Sequence, residues 1–313
     1  AANGETITLL ADAEEAYTLA VGETLKVNEN GFGFTVNAPE GYVLKSETAE
    51  GTTTYTSVKG VAKIGDTYYE TLADAVAAAE AGDTVELLAN ASGNGVRIDK
   101  DLTIDLGGFT YTVDGDLTGS TGTKTQAFQL LGGNTVTIKN GTLDTTAGAG
   151  AKLLIQNYAD LTLDGVTVNG LNLTGNAYTV SNNNGSVTFK NGTTIIAAPG
   201  KVAYDLYDWA SAGYNGLTLT IEDGVVIYGK VEVGGDREVL DITLNVPESY
   251  LPEAPADYKW VETDGSYVLT AKDYAAQVGD EKFESLAEAI AAANGETVTL
   301  LADAEEAYTL AVG

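Results

Sequence analysis

Short segments in which apolar and polar residues alternate recur along the middle of the chain, and each ends at a turn. Five of them share one phrase: an apolar residue, Thr, a second apolar residue and a polar residue, followed closely by Gly. The phrases begin at Leu102, Val136, Leu161, Val187 and Leu219. Alternation with a period of two predicts strands with one buried face, and Asn or Asp beside Gly predicts the turns between them.

The spacing of these phrases predicts how the strands are arranged. Their central apolar residues lie 34, 25, 26 and 32 positions apart, and a second apolar segment follows most of them, as at 166–168 and 194–196. A step near 25 with two or three short strands is typical of a parallel β-solenoid, in which each coil buries its apolar face against its neighbours. An antiparallel meander would instead give paired hairpins of similar length. We interpret the two longer steps as loops that project from single coils, at 115–126 and 201–216.

Two segments carry apolar residues at helical spacing instead. The spacing predicts amphipathic helices over 71–81 and 285–293. Thr71 and Ser285 stand where an N-cap belongs, and Gly82 and Gly295 where a helix ends. The apolar positions are Leu72, Ala75, Val76 and Ala79 in the first helix, and Leu286, Ala289, Ile290 and Ala293 in the second.

The chain also repeats itself. Residues 1–22 return at 292–313 with Ile7 replaced by Val298 as the one difference, so 291 residues form one full period of a tandem array. Within the period, 64–90 is similar to 278–303. When residue 313 is continued into residue 23, the similarity extends onward, and 9–36 aligns with 87–113. We infer one module plan that is used twice, once in a short form and once with an inserted stack of strands.

This plan divides the chain into three units. Residues 1–60 are the C-terminal part of a short solenoid module, 61–274 are a long module with an N-terminal capping helix, and 275–313 begin the next short module. Each module closes on a β-hairpin, around Gly51 or Gly265. The helices are interpreted as caps over exposed strand edges. The predicted fold class is therefore all-β: parallel β-helix modules with short amphipathic capping helices and terminal β-hairpins.

Composition excludes several kinds of site and partner. The chain has 45 acidic and 16 basic residues, a net charge of −29, and neither Cys nor His nor Met. Without Cys and His there is no disulfide framework, no zinc–thiolate site and no Ser-His-Asp triad. The negative charge disfavours nucleic acid and anionic membranes as partners. The sequence contains no run of 18 apolar residues, so it predicts no membrane-spanning helix. The missing Met indicates an excerpt from a longer chain.

The strand phrases resemble the right-handed β-helix repeats of the pectate-lyase-like superfamily. The whole period is similar to the long repetitive surface proteins and adhesins of Gram-positive gut and oral bacteria. The resemblance covers nearly the whole chain and rests on pattern, not on a diagnostic motif. It implies an extracellular protein, at the cell surface or in the cell wall, that is anchored to the wall or forms fibres.

The resemblance also raises the question of catalysis. Lyases of that superfamily use Asp-bound calcium with a catalytic Arg or Lys, and hydrolases use three Asp. Here Arg97 and Arg237 are the only arginines, neither lies in an acid-rich phrase, and no spacing singles out an acid and a base. We therefore predict no enzyme, and assign no catalytic residue, cofactor or metal. The acidic pairs at 114–116 and 222–223 are interpreted as solvated turn residues.

One segment concentrates aromatic and acidic side chains. Aromatic faces beside carboxylates suit sugar stacking with hydrogen bonds to hydroxyls, so this segment is a candidate glycan-binding loop. The alternative is that the rings fold a long loop onto the solenoid wall. Further along the chain, 182–185 is either a turn or the start of an asparagine ladder. The candidate glycan-binding residues are Tyr204, Asp205, Tyr207, Asp208, Trp209 and Tyr214.

Three hypotheses of function follow. The leading one is a structural module that stacks end to end in a tandem array and forms a stiff stalk or filament on a bacterial surface, with neighbouring modules as its partners. The second is a carbohydrate-binding adhesin with host or bacterial glycans as ligands. The third is an enzyme that degrades acidic polysaccharide, which electrostatic repulsion disfavours. None of the three involves nucleic acid or a membrane.

Overall fold

The structure, a computed structural model, describes residues 5–120, 122–183, 185–210 and 216–303. Its described part is predominantly β, with parallel sheets, two α-helices and two short 3₁₀ turns at Ala147–Ala149 and Glu248–Tyr250. This confirms the predicted fold class as far as the predominance of β-strands is concerned. Buried apolar side chains form three clusters, one each within the predicted units 1–60, 61–274 and 275–313.

The first unit pairs strands in parallel and ends in an antiparallel hairpin. Its strands are β1 (Thr6–Thr8), β2 (Tyr17–Thr18), β3 (Leu25–Asn28), β4 (Val36–Asn37), β5 (Tyr42–Ala49) and β6 (Thr52–Lys59). β1 pairs with β3 and β2 with β4, while β6 joins β3 to β5 antiparallel. Glu50 and Gly51 both have positive φ, as a two-residue hairpin turn requires. The predicted hairpin is confirmed.

The second unit holds most of the strands. It begins with β7 (Ala62–Ile64), β8 (Thr67–Tyr69), α1 (Leu72–Ala78), β9 (Thr84–Leu87), β10 (Ala91–Gly93), β11 (Val96–Ile98), β12 (Leu102–Asp105), β13 (Thr110–Val113) and β14 (Gln126–Leu130). It continues with β15 (Thr135–Thr145), β16 (Leu153–Asn157), β17 (Asp160–Gly170), β18 (Tyr178–Asn182), β19 (Ser186–Lys190), β20 (Thr194–Ala197) and β21 (Val202–Asp208). It ends with β22 (Leu217–Ile221), β23 (Val226–Tyr228), β24 (Lys230–Gly235), β25 (Ile242–Asn245), β26 (Tyr258–Thr263) and β27 (Ser266–Ala271).

Strands of the second unit stack in parallel as three columns. The first column contains β9, β12, the first halves of β15 and β17, then β19, β22 and β25. The second contains β10, β13, the second halves of β15 and β17, then β20 and β23. The third contains β11, β14, β16, β18, β21 and β24. The five phrases of the sequence therefore become consecutive members of the first column.

Register in the first column explains the composition of the phrase. Its central apolar residues stack on one another and are buried: Ile104, Ile138, Leu163, Phe189 and Ile221. The Thr residues stack on the opposite, outer face: Thr84, Thr103, Thr137, Thr162, Thr188 and Thr220. β-branched Thr suits a half-exposed strand face. The polar position after the apolar one alternates in charge, so that Lys139 pairs with Asp105 (3.2 Å) and Lys190 with Asp164 (3.5 Å).

Side chains from all three columns meet in one core. The ring of Tyr111 in the second column packs edge-on against Phe128 in the third, with centroids 6.0 Å apart. Phe189 in the first column packs likewise against Tyr204 in the third, at 5.0 Å. These rings are among the largest fully buried side chains of the chain. Each such side chain contributes ~1.5–3 kcal/mol to folding, so the core holds the columns together.

Helix α1 lies over the start of these columns, against β9 and β11. Thr71 Oγ1 accepts a hydrogen bond from the Asp74 backbone N–H (3.0 Å), which confirms the predicted N-cap. The helix ends at Ala78, three residues earlier than predicted. Lys100 Nζ donates to the carbonyl oxygen of Ala79 (2.9 Å), which satisfies a carbonyl at the helix end and places a cation there.

The prediction of a projecting loop over 201–216 is wrong for residues 202–208. Val202–Asp208 is strand β21 of the third column, with one irregularity of register between Val202 and Tyr204. Core-facing and outward-facing side chains alternate along this strand, and Tyr204 and Leu206 face the core. The alternation is hard to recognise in the sequence because aromatic and acidic residues occupy both faces. In the other predicted loop, 115–126, the described residues form no strand before Gln126, and Thr118 makes an isolated antiparallel bridge to Gln126.

The long unit closes on β26 and β27, an antiparallel hairpin that pairs with β25 and turns at Asp264 and Gly265 as predicted. The third unit contains β28 (Ala276–Val278), β29 (Glu281–Phe283), α2 (Leu286–Ala293) and β30 (Val298–Leu300). β28 pairs antiparallel with both β29 and β30. Ser285 caps α2 as predicted, through Oγ and the Glu288 N–H (3.2 Å). With seven and eight residues, the helices of the described chain are too short to cross a bilayer.

Candidate functional site

The outer face of the third column carries a row of polar side chains in register. The row runs through five consecutive strands and contains Gln129, Gln156, Ser181, Asp205 and Glu232. Each of these residues follows a core residue directly, as Gln129 follows Phe128. Since successive side chains of a strand point to opposite faces, the row lies on the side away from the core. The fold therefore brings together polar groups that are far apart in the sequence.

Hydrogen bonds connect the middle of this row. Ser181 Oγ lies 3.1 Å from Asp205 Oδ2 and 3.2 Å from Asn183 Oδ1. Asn183 Oδ1 also accepts a hydrogen bond from Gln156 Nε2 (2.5 Å). Gln156 and Ser181 are only 7% and 5% exposed. These groups are consequently held in fixed positions and do not rotate freely in solvent.

Asp205 is the most perturbed carboxyl group of the row. Burial disfavours its charged form and raises its pKa from 3.8 to about 7. The hydrogen bond from Ser181 acts in the opposite direction, and the negative charge of Glu232 on the next strand raises the pKa further. Asp205 therefore exchanges its proton near neutral pH, where it can act as either a donor or an acceptor.

Aromatic rings border the row. Tyr158 follows β16 and Trp209 follows β21, and their ring centroids lie 5.8 Å apart with an interplanar angle of 50°. At the other ends of the strands, a cavity of about 210 Å³ is lined by residues that include Tyr178, Lys201 and Glu232. Polar groups between aromatic rings are the usual components of a site for a hydroxyl-rich ligand.

The structure separates the predicted glycan-binding residues into two sets. Asp205, Tyr207 and Trp209 are partly exposed, and Asp205 and Tyr207 lie on the outer face of the third column. Tyr204 is 0% exposed and packs in the core, so its ring presents no face to a ligand. Asp208 is 2% exposed. Tyr214 lies outside the described residues.

Asp208 is not available to a ligand because its carboxylate is bound by Arg237. Its Oδ1 accepts a hydrogen bond from Arg237 Nε at 2.6 Å, and its Oδ2 accepts one from the Asp241 backbone N–H at 2.9 Å. Arg237 Nη2 also donates to the Trp209 carbonyl oxygen at 3.4 Å. This ion pair, in which Asp208 is buried and Arg237 partly buried, fixes the end of β21 to the turn that precedes β25. It also holds the main chain at Trp209.

An asparagine ladder forms at the first residue of the predicted segment 182–185, Asn182, which is the last residue of β18 in the third column. Asn157 and Asn182 are both 0% exposed and stand in register on β16 and β18. Asn157 Nδ2 donates to Asn182 Oδ1 (2.7 Å) and to the Ala159 carbonyl oxygen (2.8 Å). Residue 184 of the predicted segment is outside the described residues. The ladder stabilises the column next to the polar row.

Sequence reasoning found Asp205, Tyr207 and Trp209 because they are adjacent in the chain. It missed Gln129, Gln156, Ser181 and Glu232, which lie on other strands, and Tyr158, which directly follows one. A signal was present: each third-column strand from β14 to β24 contains an apolar residue followed by one polar residue of the row, at 128–129, 155–156, 180–181, 204–205 and 231–232. An alignment of these dipeptides would have revealed the row.

The described part of the chain was also searched for a metal site. No group of three or more acidic side chains there is placed to hold a metal ion. Comparisons with family models, with curated proteins and with solved structures give no match to this chain. Function is therefore inferred from the repeat, the columns and the polar row.

Proposed function

We propose that this chain is one period of a tandem array of parallel β-helix modules, which stack end to end into a stiff stalk or filament outside a bacterial cell. The observation that carries the proposal is the return of 1–22 at 292–313, at an offset of 291 residues. Near-identity over this length indicates recent duplication of a whole module pair. An array built in this way grows along one axis and is suited to spacing and display.

In this proposal the three columns of the long unit are the three walls of a closed β-helix. The shared core of the three columns and the order in which the chain visits them support the closure. The first column contributes seven layers and the pair β1 and β3 contributes two more. With ~4.8 Å between neighbouring strands, one period extends by about 40 Å, plus its caps.

The net charge of −29 fits an extended surface array. Residues 292–313 contribute four acidic residues and no basic ones, so one period of 291 residues carries 16 − 41 = −25. Parallel arrays therefore repel each other sideways and stay soluble. The absence of Cys and Met leaves no side chain of these two types to be oxidised outside the cell. Both features support a passive building block at the cell surface or in the cell wall.

Length measurement tests the structural function. Proteins with one, two and three consecutive periods would be compared by electron microscopy and small-angle X-ray scattering. We expect rods whose length increases by a constant amount of at least about 40 Å per added period. Particles that become rounder with each period, or whose periods move freely about a flexible joint, would overturn the proposal.

A second function, carbohydrate binding, is supported by the polar row beside Tyr158 and Trp209. Glycan-array binding would compare the chain with Trp209→Ala and Asp205→Asn, and with Tyr228→Ala as the matched control. Tyr228 is 59% exposed on β23 of the second column and is not part of the polar row. We expect a glycan signal that both site variants reduce and the control keeps. No signal with any glycan would refute this second function and leave the structural one intact.

A further inference from the structure

One end of the polar row carries two carboxyl groups on neighbouring strands. Asp205 on β21 and Glu232 on β24 stand in register, so their main chains are one strand spacing of ~4.8 Å apart. Burial raises the pKa of the nearby Tyr178 hydroxyl, and the negative charges of Asp205 and Glu232 raise it further. The cavity lined by Tyr178, Lys201 and Glu232 lies at this same end. An aromatic ring and two acids therefore share one part of the outer face.

The two carboxyl groups differ in their partners. Glu232 forms an ion pair with Lys230 at 2.9 Å. Lys201 Nζ, which also lines the cavity, donates to a backbone carbonyl oxygen at 2.6 Å. Asp205 accepts a hydrogen bond from Ser181 and forms an ion pair with no Lys or Arg among the residues described. A carboxylate that is largely buried is unfavourable without a cation beside it, so Asp205 is the group that a cationic ligand would stabilise.

A buried amide in the same row is unpartnered. Gln129 is 5% exposed, and its side-chain amide makes no hydrogen bond to the part of the chain that the structure describes. It stands in register with Gln156 and faces the same side. A buried amide without a partner costs free energy that a bound hydroxyl group could recover. Gln129 and Asp205 lie three strands apart, so a ligand that reached both would extend over ~14 Å.

Aromatic rings lie on both sides of the row, with Tyr158 and Trp209 on one side and Tyr178 on the other. Ring faces pack against the apolar face of a sugar and also attract a cation. The buried amides add hydrogen-bonding groups for hydroxyls, and Asp205 adds a negative charge. Together these groups match an extended ligand that carries both hydroxyl groups and a positive charge.

We infer that the polar row binds an oligosaccharide that carries free amino groups, with one ammonium group at Asp205. The inference rests on the second proposed function, carbohydrate binding, and names the class of its ligand. The ammonium group supplies the cation that Asp205 lacks, and sugar hydroxyls pair with Gln129 and Gln156. The net charge of −29 attracts such a ligand and repels an acidic polysaccharide.

Isothermal titration calorimetry with two matched ligands tests the inference on the full chain. One ligand is an oligomer of β-linked glucosamine, which has free amino groups, and the other is the N-acetylated oligomer of the same length. The two share their rings and hydroxyl groups, so a difference in affinity reports the amino group. Because hydrogen bonds between charged groups are roughly twice as strong as neutral ones, we expect ~10-fold tighter binding of the amino oligomer near neutral pH. High salt should reduce this preference.

Three variants separate recognition of charge from stacking on the rings. Asp205→Asn should abolish the preference for the amino oligomer and leave affinity for the N-acetylated oligomer unchanged. Trp209→Ala should weaken both ligands by a similar factor. Glu222→Gln is the matched control, because Glu222 is an exposed turn residue outside the row and the charge change equals that of Asp205→Asn. Circular dichroism of each variant checks that it is folded.

Equal affinity for the two oligomers, or tighter binding of the N-acetylated one, would overturn the inference and leave carbohydrate binding intact. A preference that survives Asp205→Asn, or that Glu222→Gln removes, would also overturn it. A lysine peptide of the same charge that binds as tightly as the amino oligomer would show that attraction to the acidic chain is sufficient, and would overturn it as well. Binding of neither oligomer refutes the inference, whereas carbohydrate binding itself fails only if the whole glycan array gives no signal.

Discussion

Replacement of Asp205 by Asn tests the environment of the polar row directly. Asn has nearly the shape of the protonated acid and carries no charge, and its Oδ1 can still accept a hydrogen bond from Ser181. The folded chain raises the pKa of Asp205 to about 7 from an ordinary 3.8. The substitution therefore removes the cost of a buried carboxylate while it keeps the packing.

The sign and size of the effect follow from proton linkage. Between pH values near 3.8 and 7 the folded chain holds a proton on Asp205 that the unfolded chain has released. Stability of the wild type therefore falls as pH rises through this window. A shift of about three pKa units at 1.36 kcal/mol each gives an upper limit of ~4 kcal/mol. Asp205→Asn should equal the wild type near pH 3.5 and exceed it in stability by ~2–4 kcal/mol at pH 8.

The assay is urea unfolding followed by tryptophan fluorescence across this pH range. Both tryptophans, Trp209 and Trp260, lie in the long unit, so fluorescence reports the unit that contains Asp205. Glu222→Gln is the matched control, because Glu222 is an exposed turn residue and the charge change is the same. A difference between Asp205→Asn and the wild type that does not vary with pH, or that is reproduced by Glu222→Gln, would refute the reasoning.

Three further substitutions test the long unit by urea unfolding. Tyr204→Phe removes a buried hydroxyl that makes no hydrogen bond of ordinary geometry in the described chain, with Asn182 as its neighbouring polar group, so stability should rise by ~1 kcal/mol; a loss of stability would show that Asn182 bonds to it. Asp208→Ala leaves the partly buried Arg237 without this carboxylate and should cost ~3 kcal/mol; a change below ~1 kcal/mol would show that the pair is well solvated. Lys100→Met removes the cation at the end of α1 and should cost ~0.5–1 kcal/mol, a loss that high salt should reduce; an equal loss at low and high salt would exclude the electrostatic part.

Local pattern determined much of this protein. A period of two with a Gly turn specifies a strand wherever it occurs, because backbone geometry alone places alternate side chains on opposite faces. The five phrases, the two hairpin turns at Gly51 and Gly265, and the caps Thr71 and Ser285 were all predictable on this ground. The near-identity of 1–22 and 292–313 required no structure at all.

Only the tertiary structure decided the candidate site. Whether Tyr204 or Asp205 faces the core depends on the register of β21 against β18, and the chain segment itself carries both aromatic and polar residues at alternating positions. The row from Gln129 to Glu232 exists because stacking brings every turn of the chain back to the same place. That return is a property of the packed columns, in which shared burial fixes register over distances that no local sequence pattern spans.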